Sequence, residues 1–167
     1  MNQATIRTEA VKRGAGESLL LAKRMKPAIK VFVDALRAYS PDGDDSPVAS
    51  LYPIVGPIEK DTDAPEVFAE IFAFFERYPD ADLGMPGPLV HLLERHIGRY
   101  EKLLIASLRR VPSSSGVNMV NRILNAHRSA EEREVLMGVL AEVAGDAKAA
   151  VSVRDEARHF IQYQNGG

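Results

Sequence analysis

The stretch "PEVFAEIFAFFERY", residues 65–78, decides the fold class. Its apolar positions Val67, Phe68, Ile71, Phe72, Phe75 and Tyr78 recur at i, i+3 and i+4, which places them on one face of a helix. Asp63 and Glu66 have capping-box spacing at its start. Downstream, "SAEEREVLMGVLAEVAG" (129–145) repeats the pattern, with Val135, Leu136, Val139, Leu140 and Val143 on one face. Ser129 and Glu132 can cap that helix and Gly145 can end it. Asp146 can then cap a last helix carrying Ala150, Val153, Ala157, Phe160 and Ile161. No segment joins strand alternation to hairpin turn chemistry. The reading is all-α.

Helices are expected near 17–39 (broken near Pro27), 65–78, 88–97, 99–110, 116–127, 130–144 and 147–163. Short connections make antiparallel neighbours, so the expected architecture is an irregular stack of helical hairpins resembling a short α-solenoid. No sequence period repeats cleanly, which leaves a compact irregular bundle as the alternative. A chain of 167 residues suits a single domain over 1–167. Residues 1–16 are candidates for disorder. Residues 40–64, "SPDGDDSPVASLYPIVGPIEKDTD" from Ser40 on, read as a long acidic surface loop with room for one helical turn.

There is no cysteine, which removes disulfides, thiolate metal sites and cysteine nucleophiles. No apolar run reaches the length of a membrane span, and the first 26 residues hold no sustained apolar core of a secretory signal. A cytoplasmic protein is expected. The net charge of −2 conceals blocks of opposite sign. Residues 1–40 carry eight basic and three acidic side chains, and residues 41–82 carry two basic and eleven acidic, a net −9. Residues 83–130 return to +5. Such blocks suit charged partners or attraction between segments.

Catalysis turns on "PGPLVHLLERH", residues 86–96, whose two histidines and glutamate are the vocabulary of a zinc hydrolase. On a helical wheel Leu89, Leu92, Leu93, His96 and Ile97 cluster on one side, and His91, Glu94 and Arg95 on the other. Zinc helices place their histidines four apart on one face, whereas His91 and His96 are five apart, about 140° around the helix. His96 is therefore read as a partly buried, hydrogen-bonded histidine. A third ligand from His127 or His159 stays open, with no spacing to favour it. "GAG" (14–16) and "GMPG" (84–87) lack the context of a phosphate loop. "SSSG" (113–116) reads as a helix start with hydroxyls to spare.

"GVNMVNRILNAH", residues 116–127, carries Asn118, Asn121, Arg122 and Asn125 as a stripe opposite its apolar face. Asparagine is a poor helix former, so three of them cost about 2 kcal/mol relative to alanine. That cost points to partners for the amides, either a neighbouring loop or another protein.

The segment 83–125, with "LGMPGPLVH", "SLRRVP" and "NRILN", resembles a group of small all-helical immunity proteins of bacterial polymorphic-toxin and contact-dependent inhibition loci. The likeness covers about a quarter of the chain strongly. It implies a cytoplasmic toxin inhibitor that binds one cognate toxin C-terminal domain, a nuclease being one candidate. It implies no enzyme activity, cofactor or metal, and no direct contact with nucleic acid or membrane. Partner-binding candidates are Asp42, Asp44, Asp45, Asp61, Asp63 and Glu66 of the acidic block, since an acidic surface can fill a basic cleft. His91 and Arg95, and the stripe Asn118, Asn121, Arg122 and Asn125, are the second set. A non-catalytic helical scaffold or adaptor is the alternative, and a metal-dependent hydrolase the third reading.

Overall fold

A computed structural model describes residues 25–58, 65–126 and 128–166. The segment 1–16, the first part of the helix expected from 17, Asp61, Asp63 with its proposed cap on Glu66, and His127 all lie outside the described residues. Among the described residues the fold is all-α, with eight α-helices, one 3-10 turn and no strand.

Prolines open the first four helices, because their fixed φ suits a first turn and their missing N–H is not needed there. These are α1 (Pro27–Ala38), α2 (Pro47–Val55), α3 (Pro65–Arg77) and α4 (Pro88–Glu94). The rest are α5 (Glu101–Arg110), α6 (Ser114–Asn125), α7 (Ala130–Gly145) and α8 (Val151–Gln164). Ser113 caps α6 by accepting from the Gly116 N–H at 3.2 Å. The expected capping box of Ser129 and Glu132 opens α7, with both reciprocal bonds present.

The expectation of a long loop over 40–64 is corrected at 47–58. There Leu51, Val55 and Ile58 are buried, on α2 and the following 3-10 turn Gly56–Ile58. Their spacing of four and three places them on one helical side, which packs against α1. Pro53 lies inside α2 and removes one backbone donor, and the α-helix ends two residues later.

The longest helix, α7, packs against α5, α6 and α8. α1, α3, α5 and α7 contact one another in that order, α2 pairs with α4, and α6 pairs with α8. Helix lengths run from 7 to 16 residues, so the stack is irregular. α3 touches α1, α5 and α6. Val67, Phe68, Ile71, Phe72 and Phe75 of its stripe are buried as expected, Tyr78 is half-buried just past the helix end, and Phe74 and Glu70, which lie off that stripe, are buried too. Phe68 and Phe72 each meet the Tyr100 ring at 6.0 Å between centroids. The buried Glu70 carboxylate accepts from Arg37 Nε of α1 at 2.8 Å and from Arg77 Nη1 at 3.3 Å. Arg77 also donates to the Leu36 carbonyl at 3.1 Å, so one cation ties α3 to the end of α1.

The start of α4 depends on Gly87. A Cβ there would lie 2.0 Å from the Leu83 carbonyl oxygen. The helix stops at Glu94, three residues short of the expected end, and the chain turns through Gly98 at φ +98°. Ile97, expected on the apolar side, is consequently 43% exposed. Val135 of α7 was also expected in the core, and it is 53% exposed.

Candidate functional site

The first candidate is an open cleft of about 770 Å³ where the loop after α1 and the start of α2 meet the segment before α4. Asp42, Asp45 and Asp82 line it, and none of its lining residues is a cation. Tyr52, 56% exposed, supplies an aromatic wall beside Pro41 and Val48. The loop holds its shape through Asp44. That carboxylate accepts from the Tyr39 hydroxyl and the Ser46 N–H, both at 2.8 Å. Hydrogen bonds from Ser50, Ser46 and Tyr39 hold its pKa below the usual carboxylate range. Tyr39 is correspondingly pushed up to about 12, first by burial and then by its bond to Asp44. Asp44 thus braces the loop that presents Asp42 and Asp45.

Of the acidic candidates, then, Asp42 and Asp45 come together and Asp44 supports them. Glu66 sits half-buried in the first turn of α3 and is not part of the cleft wall. Asp82 and Tyr52 were not among the sequence candidates. Asp82 belongs to the −9 block but stands forty residues from Asp42, and only the fold brings them together.

The histidine region is a polar network. His91 Nδ1 lies 3.4 Å from Glu94 Oε2, and Arg122 Nε donates to Glu94 Oε1. His91 is exposed, as the wheel requires, and Arg95 beside it is exposed too. His96 is half-buried with its ring 5.4 Å from that of Phe68. The two histidines thus face different surroundings. Among the described residues no three His, Asp or Glu side chains come together as a metal site would require. Beneath this network the Tyr100 side chain is fully buried, and its hydroxyl has no hydrogen-bond partner among the described residues. Burial, then the fields of Glu101 and Glu94, push its pKa up.

The amide stripe has partners, and they lie on α8 rather than on a loop. Asn118 Nδ2 and Ser114 Oγ both donate to Glu156. Gln164 Nε2 donates to Asn121 Oδ1 at 2.8 Å and to Asn125 Oδ1 at 2.7 Å. Gln164 Oε1 in turn accepts from Arg133 Nη1 of α7 at 2.9 Å. Arg122, the fourth member, goes to Glu94 on α4. The stripe therefore ties α6 to α8 and to α4.

Comparison with known proteins returned nothing: no family model matches the chain, and neither does any curated protein or solved structure. The acidic cleft presents several like charges, an aromatic side chain and open space together. Such a surface can attract and seat a basic partner, because like charges in a concave wall reinforce one another's field.

Proposed function

We propose that the protein is a non-catalytic, toxin-neutralising binding protein that acts in the cytoplasm and blocks one cognate bacterial toxin domain. The observation carrying this reading is the acidic cleft, with Asp42, Asp45 and Asp82 around an exposed Tyr52. A nuclease is the toxin class it fits best, since the cleft that holds a phosphate backbone is basic and an acidic protein surface can occupy it. The likeness of residues 83–125 to immunity proteins supports the same reading. On this reading the partner is a protein, with no cofactor, direct nucleic acid contact or membrane involved. The His91, Glu94 and Arg122 network and the amide stripe hold helices together and stand outside the primary contact.

The test is capture of the toxin domain encoded beside this chain's gene, followed by co-expression of the two in cells. The expected result is a one-to-one complex and rescue of growth. A toxin domain that neither binds this protein nor is neutralised by it contradicts the proposal.

A further inference from the structure

We propose that a second surface, the cleft between the start of α5 and the start of α7, is an interface between two copies of this chain. It encloses about 630 Å³ and shares no lining residue with the acidic cleft. Ile105, Ile123 and Leu136 contribute apolar lining, and Val135 stands 53% exposed on the α7 side. Ile97, which adjoins the lining residue Gly98 in the chain, is 43% exposed. Exposed apolar side chains gathered around one concave surface mark an interaction site.

The charges select the occupant. The α5 side carries Arg99 and Lys102, and the α7 side carries Glu131 and Glu132. Part of the charge is used within the fold. Glu101 accepts from the Tyr100 N–H and lies 3.8 Å from Arg128, and Glu132 accepts from the Ser129 N–H. Lys102 and Glu131 are both exposed, and neither has an ion-pair partner among the described residues. The two sides are thus opposite in sign across one apolar floor. A two-fold axis over such a cleft sets the basic side of each copy on the acidic side of the other, because in an isologous contact residue i meets j and j meets i. Lys102 then meets the partner's Glu131 twice, and the exposed Val135 closes on the apolar lining of the other copy. A surface of one sign, such as the acidic cleft, would repel its own copy.

Sedimentation velocity of the full chain, up to about 0.5 mM, reads the equilibrium directly. The expected result is a reversible dimer that Val135→Glu abolishes. Lys102→Glu and Glu131→Lys should each weaken it by about tenfold or more, since each places like charges in contact at two symmetric points. The double exchange Lys102→Glu with Glu131→Lys should restore it to within about threefold of the parent. All these side chains are exposed, so parental circular dichroism and melting temperature will show that the variants fold. A chain that stays monomeric throughout overturns the proposal. So does a dimer indifferent to the single reversals, or one that the double exchange does not rescue.

Discussion

Removing the side chain of Gln164 tests whether the asparagine stripe is structural. Its amide nitrogen bridges Asn121 and Asn125, and its oxygen takes Arg133, so Gln164→Ala deletes three hydrogen bonds linking α8 to α6 and α7. Each is worth about 1 kcal/mol net when well sheltered. Asn125 is exposed and the others are half-buried, so water can replace part of the loss and about 2 kcal/mol is expected in all. For a chain of this length that corresponds to a fall in melting temperature of about 4–8 °C. Asn121→Ala behaves differently. It loses one bond but gains about 0.6 kcal/mol of helix propensity, so its net cost should be only about 0.5 kcal/mol. The contact itself appears in the double-mutant cycle, where the two changes together should cost less than their sum by about 0.5–1 kcal/mol. Urea denaturation of the four proteins measures this. A Gln164→Ala variant as stable as the parent, with no coupling to Asn121, would refute the helix-joining role.

Other consequences follow from the same geometry. Glu70→Ala should cost about 2–3 kcal/mol in chemical denaturation, because it removes a buried carboxylate that accepts from both Arg37 and Arg77. Gly87→Ala should cost about 3 kcal/mol or more, since the new Cβ would collide with the Leu83 carbonyl, a backbone atom that cannot swing aside. A loss under 1 kcal/mol would contradict that packing. Tyr39 gives a pH signature. Its folded pKa is raised to about 12 from an ordinary 10.0, so its contribution to stability is complete below pH 10 and is lost as pH rises toward 12. Tyr39→Phe should flatten the alkaline limb of the stability profile over that interval.

The helical class was legible because apolar spacing in α3 and α7 is dense enough to fix the period by itself. Pro88, Ser113 and Ser129 marked the starts of α4, α6 and α7 to within two residues, whereas Asp146, expected to cap the last helix, ends α7, and α8 begins only at Val151. The helix α2 was hidden by composition, since prolines and aspartates dominate 40–64 and mask the spacing of Leu51, Val55 and Ile58. Phe74 and Glu70 show a different limit. A wheel assigns one face to the core, but α3 is packed against three helices, and only tertiary context buries its remaining sides. The energetic oddity of three asparagines correctly signalled partners without saying where. Gln164 and Glu156 stand up to 43 residues away on α8, beyond any local pattern. Asp82 joined the acidic site for the same reason, through the fold and not through spacing.

The most direct test of the proposed role measures how fast the protein associates with its cognate toxin domain. The comparison is between the parent and the triple variant Asp42→Lys, Asp45→Lys, Asp82→Lys, with Asp44 kept so that its bonds to Tyr39 and Ser46 still brace the loop. At low ionic strength the variant should associate about tenfold more slowly or worse, with a smaller difference at high salt where the charges are screened. Protection of cells should weaken in parallel. A triple variant that folds, binds as fast as the parent at low salt and protects equally well would contradict the acidic cleft as the toxin-binding surface.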